Sequence, residues 1–440
     1  MQTAKQLYLQ TFGCQMNVSD SEKISSLLAG EGYALTDDSN AADLIIYNTC
    51  SVRAKAEERV YKQLVQLKAL KRRNPSLLLG VGGCVAQQEG ERLLEKIPHL
   101  DLVFGTHNLH RLPQIVRAAE EGRRLAEVDF IDSETRVGLF PVDDRAGGVT
   151  RFVTVMQGCD NFCSYCIVPY VRGREVSRRS VDILAEIRQM AANGVKEVTL
   201  LGQNVNSYGM TSPDEPDFAG LLRQVSGVEG IERIRFTTSH PKDFTPALID
   251  CFAELPKLCA HIHLPAQSGS DAVLNKMNRG YTRNSYMSTV LALRAANPDI
   301  AITGDMIVGF PGETEDDFNA TLSLMEEVRY SDLFSFIYSS RPGTTAAEMT
   351  ELLTFEEKRE RLDRLVDLQK RITRQQNVAE VGSRREILVE RESKRPGQLF
   401  GRTSANRGVN FAGPLSLIGS VACVEITEGY QNSLLGKLAV

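Results

Sequence analysis

Cys159, Cys163 and Cys166 are spaced Cys-x3-Cys-x2-Cys within Val155-Met-Gln-Gly-Cys-Asp-Asn-Phe-Cys-Ser-Tyr-Cys-Ile-Val-Pro169. Three thiolates this close on one loop can hold three irons of a four-iron, four-sulfur cluster, since thiolates are the usual ligands of such clusters. The fourth iron is left open, as it must be if the cluster is to bind a small molecule and not only pass electrons. A ferredoxin would add a fourth nearby cysteine followed by proline, whereas Val168 precedes Pro169 here. A zinc site would pair two Cys-x2-Cys knuckles or add a Cys/His pair downstream, but the next cysteines, Cys251 and Cys259, lie far along the chain.

Cys14, Cys50 and Cys84 share a second grammar: Leu7-Tyr-Leu-Gln-Thr-Phe-Gly-Cys14, Leu44-Ile-Ile-Tyr-Asn-Thr-Cys50 and Leu77-Leu-Leu-Gly-Val-Gly-Gly-Cys84. Each is a short apolar run, a turn and a cysteine, followed by a helical pattern at Ser19–Ala29, Ala54–Arg73 and Gln87–Lys96. Strand, cysteine, helix, repeated, predicts a parallel α/β, Rossmann-like domain, whose strands all end on one edge. Three buried inert thiols are the plain alternative, because free cysteine is among the most buried residue types. Equivalent strand ends beside glycines, which let backbone approach a cofactor, favour a second cluster with three protein ligands. Cys251, Cys259 and Cys423 lack that context and are expected to be core thiols.

The elements that must position these loops follow a four-part order: an α/β domain over 1–122, a Gly-rich and charged linker over 123–148, a second α/β domain over 149–376 and a small all-β module over 377–440. Leu112–Arg123 reads as the last helix of the first domain. In the second α/β domain the strands Phe152–Met156, Glu197–Leu201, Arg233–Thr237, His261–Leu264, Ile300–Val308 and Leu333–Tyr338 alternate with helices. Six such units predict a partial TIM-type (β/α)6 barrel, with the three-cysteine loop at its C-terminal face. Polar strand-end residues on that face, Gln203, Asn204, Gln267, Ser268 and Asp305, are candidate ligand contacts, as is Tyr165 between the cysteines. Thr354-Phe-Glu-Glu357 is a capping box opening a long helix to about Gln376. Beyond it, Glu386–Glu390, Arg407–Phe411 and Ser420–Glu428 read as strands of a small, OB-like barrel.

The chain has 440 residues, a net charge of −5 and nine cysteines. No leader pattern and no apolar run of about eighteen residues is present, so a soluble cytoplasmic protein is expected, with no membrane partner. An odd cysteine count argues against a disulfide scaffold and for a reducing compartment. With negative net charge, a nucleic-acid partner must use local patches. The candidates are Arg384, Arg385, Arg402 and Arg407 of the β module, Lys68–Arg73, and Arg172-Gly-Arg174 with Arg178-Arg179.

The Cys159/Cys163/Cys166 spacing resembles the signature of radical S-adenosylmethionine (SAM) enzymes, and the order of domains resembles the methylthiotransferase family, whose last domain is a TRAM barrel. Thr11-Phe-Gly-Cys-Gln-Met-Asn17, Thr237-Thr-Ser-His-Pro241, His263-Leu-Pro-Ala-Gln-Ser-Gly-Ser270 and Arg279-Gly-Tyr-Thr-Arg283 are similar to its MiaB-type tRNA branch. The branch that modifies a ribosomal-protein aspartate usually has histidine where this chain has Ser268. The branch acting on threonylcarbamoyladenosine differs around Cys14. One departure is Gly304, where threonine or serine is expected.

The resemblance implies two [4Fe-4S] clusters, on Cys14/Cys50/Cys84 and on Cys159/Cys163/Cys166. SAM on the second is cleaved to a 5′-deoxyadenosyl radical that takes hydrogen from C2 of N6-isopentenyladenosine beside the tRNA anticodon, and a sulfur on the first, methylated by another SAM, completes the 2-methylthio base. Tyr165, Gln203, Asn204, Gln267, Ser268 and Asp305 would contact SAM, with no catalytic residue beyond the cluster ligands. Implied partners are that tRNA, an electron donor such as flavodoxin or ferredoxin and iron–sulfur assembly factors, the enzyme itself being a monomer. A non-catalytic iron–sulfur RNA-binding protein is the alternative of another class.

Overall fold

The computed structural model describes residues 4–51, 54–137, 139–140 and 147–439. Part of the expected linker, residues 138 and 141–146, thus lies outside the described residues. No helix among the described residues is long and apolar enough to cross a membrane. The chain forms two compact units, one of Met1–Arg145 with Thr154–Asp160 and Cys166–Arg179, the other of Ala146–Val153, Asn161–Tyr165 and Ser180–Val440.

The first unit is Rossmann-like, built on a six-stranded sheet in the order Tyr33–Leu35, Lys5–Thr11, Leu44–Thr49, Leu78–Gly83, Leu102–Phe104, Leu125–Glu127. Every pairing is parallel. Leu44–Thr49 and Leu78–Gly83 are buried along their whole length, as central strands covered on both faces must be. Alternation divides their side chains between two cores. Ile45, Tyr47, Leu79 and Val81 pack with Val60, Leu64 and Leu67 of the Ala54–Arg73 helix, while Leu44, Ile46 and Leu78 pack with Ile24, Leu28, Leu112 and Ile115. The helix expected over Gln87–Lys96 is two short helices, Cys84–Glu89 and Glu91–Lys96. Gly90 breaks it at φ +54°, a conformation glycine adopts without steric cost.

The central domain of the second unit is a partial (β/α)6 barrel whose strands fall into two ladders of three. Arg233–Thr237 and Glu197–Leu201 pair parallel, with Thr150–Thr154 on the far side of Glu197–Leu201. His261–His263, Ala301–Val308 and Asp332–Ile337 form the other ladder, also parallel. An isolated bridge joins Ile234 of the first ladder to Leu258, just before the strand His261–His263. On the Ala301–Val308 strand Gly304 faces outward, where a Cβ would lie 3.1 Å from the Leu264 carbonyl oxygen and 3.2 Å from Tyr330. A side chain there would require these neighbours to give by a few tenths of an ångström, and Asp305 takes the opposite face.

The C-terminal strands Arg384–Glu392, Gln398–Arg402, Gly408–Ala412, Val421–Gly429 and Leu434–Leu438 close into a barrel around Ile387, Val389, Leu399, Val409, Phe411, Val424 and Ile426. Cys251 and Cys259 are buried, but Cys423 is exposed. It corrects the core expectation for a simple reason: Ala422, Val424 and Ile426 take the inward positions of that strand, so Cys423 must face out.

The C-terminal barrel is tied to the central domain by a buried charge cluster. Glu197, fully buried, accepts from Arg235 Nε at 2.8 Å and Arg402 Nη2 at 2.5 Å. Arg235 also donates to the carbonyls of Thr403 and Ser404, at 2.7 and 2.9 Å. Burial opposes ionisation of Glu197, but the two guanidinium groups outweigh it and hold its carboxyl below the usual range. Glu197→Gln takes the counter-charge from buried Arg235 and leaves Arg402 with Glu390 alone, and should cost about 3–5 kcal/mol of stability in urea unfolding. The depressed folded pKa means that Glu197 contributes fully above the unfolded carboxylate value of about 4.3. That contribution disappears as pH falls through the lower folded value, and Glu197→Gln should flatten this acid limb of the stability profile.

Candidate metal centres and nucleic-acid surface

The strands Lys5–Thr11, Leu44–Thr49 and Leu78–Gly83 are neighbours and parallel, so Cys14, Cys50 and Cys84 emerge on one edge. Cys14 precedes the Gln15–Ala29 helix and Cys84 opens the Cys84–Glu89 helix. Two glycines allow the close approach. Gly13 has φ +118°, and a Cβ on it would sit 2.2 Å from Cys50 Cβ; Gly83 has φ +90°, with a Cβ 2.4 Å from the Thr49 carbonyl oxygen. Asn17 bonds the Cys14 thiol at 3.3 Å and donates to the Thr49 carbonyl at 2.9 Å, linking two of the three strand ends. A hydrogen bond from Cys50, opposed by burial and aided by the Arg172 charge, lowers the Cys14 thiol to about 6. Burial raises the Cys84 thiol, partly offset by Arg172.

Arg172 and Arg178 do not form the surface patch expected of them. Arg172 is 3% exposed and pairs with Asp20 at 2.8 Å, and Arg178 is buried with Nη1 donating to the Thr154 carbonyl at 2.7 Å. The helix Val168–Arg172 packs through Ile167 and Val171 on Cys84, which explains why the sequence reads as basic where the fold is closed. Arg172 Nη1 is buried with no hydrogen-bond partner. A thiol triad, a glycine cradle and an unpartnered buried N–H suit a cluster whose sulfurs accept hydrogen bonds. Among the described residues no three Cys, His, Asp or Glu side chains close around a single-ion position; a four-iron cluster instead spreads its thiolates over separate irons.

The loop carrying Cys159, Cys163 and Cys166 is bracketed by a two-stranded ribbon in which Met156 pairs with Ser177 and Gln157 with Val176. Gly158 has φ +87°, and a Cβ there would lie 1.9 Å from the Arg174 carbonyl oxygen. Cys159 N–H donates to the Gly173 carbonyl at 3.2 Å. Cys163 is buried, and Arg279 Nη1 lies 3.3 Å from its sulfur and 3.4 Å from the Tyr165 hydroxyl. Arg279 is itself buried, anchored on Tyr281 at 3.0 Å and the Pro265 carbonyl at 3.0 Å. Burial opposes its charge, but Tyr165, Tyr281 and Cys163 outweigh it and keep it protonated. Sequence reasoning noticed Arg279 only within a motif, because nothing local shows that it reaches a thiol more than a hundred residues earlier.

The strand-end candidates of the central domain fall into two groups. Gln267 has φ +71° and a buried Oε1 without a partner, and nearby Ser239 Oγ and His240 Nε2 are also buried and unpartnered. Burial, then the Arg279 and Lys242 charges, lower His240 to about 2, so its ring is neutral. Thr238 is also held at a positive φ, +69°. Strained backbone and unmet polar atoms at barrel strand ends are features of a ligand seat. Asp305 lies 3.4 Å from His263 and part-exposed, and Tyr165 packs against Val273, Met277 and Phe310. Gln203 is part-exposed at its strand end. By contrast, Ser268 Oγ is taken up by Thr321 and the Ser270 amide, and Asn204 Nδ2 by Asp243.

Of the arginines expected to face nucleic acid, Arg384 is exposed. Arg385 pairs with Glu380 at 2.7 Å, Arg402 is held by Glu197 and Glu390, and Arg407 donates to Asn377 and Gln376. Arg402 and Arg407 are thus internal ties, a correction imposed by acidic and amide partners distant in sequence. A cavity of about 380 Å³ on the C-terminal barrel is instead lined by Arg391, Lys394, Arg395, Phe400, Asn410 and Tyr430 among others. The Arg391 guanidinium stacks 4.2 Å over Phe400.

Comparison with known proteins places the chain. Family models match at residues 6–105 (Uncharacterized protein family UPF0004), 153–325 (Radical SAM superfamily) and 378–439 (TRAM domain). Among solved structures, the radical S-adenosylmethionine methyltransferase TsrM from Kitasatospora setae superposes with a TM-score of 0.58 at 15% identity, over 78% of this chain and 74% of that one. The cobalamin-dependent radical enzyme OxsB gives 0.51 at 15%, over 84% and 56%. At such identities the likeness is one of fold alone. Fold and domain order together define a radical SAM protein with a C-terminal TRAM domain. Relatives from Geotalea uraniireducens (69% identical, 100% of both chains) and Geobacter sulfurreducens (68%, 99% of this chain and 97% of that one) are tRNA-2-methylthio-N(6)-dimethylallyladenosine synthases. The chain belongs to that family.

Gly13→Ala places a methyl against Cys50 at a backbone angle that side chains rarely adopt. It should destabilise the N-terminal unit by roughly 1–3 kcal/mol, read by chemical unfolding of the metal-free protein.

Proposed function

We propose that this chain is a radical SAM methylthiotransferase that converts N6-isopentenyladenosine next to the tRNA anticodon into its 2-methylthio derivative. The observation that carries this reading is the second thiol triad, Cys14, Cys50 and Cys84, gathered on one sheet edge in addition to the Cys159/Cys163/Cys166 loop. Breaking a carbon–hydrogen bond needs only the loop, whereas inserting sulfur needs a place to keep it. The relatives' activity supplies the substrate.

In this reading each triad holds a [4Fe-4S] cluster, and the loop cluster binds SAM. When bound, these groups supply radical cleavage of an aromatic C–H bond and a source of sulfur and methyl, chemistry that belongs to cofactors and that no His or carboxylate pair performs. The protein's own residues bind and orient. Arg279 fixes Cys163 and Tyr165, and Gln267 Oε1 and the neutral His240 ring offer unmet polar atoms to SAM or the base. Tyr165, Gln203 and Asp305 complete that seat. Asn204 and Ser268 shape it through backbone and neighbours. The division of labour is 1–122 for sulfur, 149–376 for SAM and 377–440 for RNA, with 123–148 connecting. A flavodoxin or ferredoxin supplies electrons, assembly factors supply the clusters, and the enzyme works as a monomer in the cytoplasm.

Two variants separate the centres. Cys163→Ala should abolish formation of 5′-deoxyadenosine, while Cys50→Ala should retain it without methylthiolated product. Product from Cys50→Ala would refute the sulfur assignment.

The TRAM groove is the RNA surface in this reading, with Arg391, Lys394 and Arg395 meeting phosphates and Phe400 and Tyr430 available for stacking, alongside Arg384. Arg391→Ala with Lys394→Ala should weaken tRNA binding and lower its salt slope by roughly one per lost phosphate contact. An unchanged slope in a binding titration would remove the groove from the footprint.

A further inference from the structure

Arg172 is a buried cation beside the N-terminal thiol triad that the reaction outlined above does not employ. Its position is fixed at both ends. The side chain pairs with Asp20 of the Gln15–Ala29 helix at 2.8 Å, both groups being at least nine-tenths buried. Its carbonyl accepts from His107 Nε2 and from Arg136 Nη1, each at 3.0 Å. The Ile131 amide donates to His107 Nδ1 at 3.2 Å, which fixes the ring as the neutral Nε2–H tautomer. Arg136 is anchored in turn on Gln157 at 2.6 Å. The helix that ends at Arg172 rests on Cys84 through Val171 and Ile167.

A buried ion pair is costly to assemble, and its retention calls for a use beyond stability. Asp20 takes one arm of the guanidinium. Nη1 is left inside the protein without an acceptor. Among the described residues, the titratable groups that face this guanidinium are Asp20, Arg136, His107 and the thiols of Cys84 and Cys14. Of these only the thiol side offers acceptors that Asp20 has not already provided. Sulfur of an iron–sulfur cluster is such an acceptor, and hydrogen bonds to it are a principal means by which a protein sets cluster potential.

We propose that Arg172 is a positioning residue for the cluster held by Cys14, Cys50 and Cys84: oriented by Asp20, its free N–H donates to a cluster sulfur and holds the reduction potential above that of an unassisted cluster. The inference rests on the two-cluster reading. A cationic donor lowers the energy of the more negative, reduced cluster, so its removal must shift the potential downward.

The test uses the full-length Cys159→Ala/Cys163→Ala/Cys166→Ala variant, reconstituted with iron and sulfide, so that the N-terminal cluster is seen alone. Failure of this background to hold one [4Fe-4S] cluster would sink the two-cluster reading itself. Into it are placed Arg172→Lys, which keeps a charge but loses the planar fork, and Arg172→Gln with Asp20→Asn, which removes both charges and strands neither. The expected result is a more negative midpoint potential and an altered EPR signal of the reduced cluster, the shift being larger in the double variant, at unchanged far-UV dichroism. Potentials and EPR signals coincident with the parent in both would overturn the role of Arg172 while leaving the clusters in place.

Discussion

The parallel sheet of the N-terminal unit is the constraint on which the rest depends. A parallel strand must return to the same starting edge before the next begins, so the residue after every strand lands on one side of the sheet. Lys5–Thr11, Leu44–Thr49 and Leu78–Gly83 are adjacent in that sheet, and the residues that leave them are Cys14, Cys50 and Cys84. Topology alone thus brings together thiols that stand 36 and 34 positions apart in sequence. The glycines at 13 and 83 then remove the side chains that would hold the loops apart.

Charge burial is the second organising device, and it recurs beside both thiol triads and at the TRAM barrel. Arg172 with Asp20 lies beside the N-terminal triad, Arg279 faces Cys163, and Glu197 with Arg235 and Arg402 joins the TRAM barrel to the central domain. Buried ion pairs contribute little to net stability, and breaking one is expensive. Such pairs fix geometry more than they strengthen the fold. Their placement here fits a protein whose thiol triads and TRAM barrel must each be held in fixed geometry within their own units.

Much of this was legible in the sequence because it rests on local grammar. Apolar runs ending in turn and cysteine identified the strand ends, and the Cys-x3-Cys-x2-Cys loop identified the metal chemistry. What could not be read depends on partners far away. Arg402 and Arg407 look like an RNA-facing pair until Glu197, 205 residues from Arg402, and Asn377 claim them. Arg172 looks like part of a basic patch until Asp20, 152 residues away, takes it inside. Cys423 lies one step of strand alternation from the core, and Gly90 breaks the helix after Cys84 within a pattern that its neighbours support. The split of the central barrel into two ladders also has no sequence signal, since strand periodicity does not say which neighbours pair along their full length.

The central claim is that two thiol triads act on one base. Nucleoside mass spectrometry of isopentenyladenosine-containing tRNA, after anaerobic incubation with cluster-reconstituted protein, SAM and a strong reductant, tests it most directly. A gain of one methylthio group on that base is the result this account requires. Formation of 5′-deoxyadenosine with the base unchanged, or no change in tRNA or SAM in a fully reconstituted protein, would contradict it.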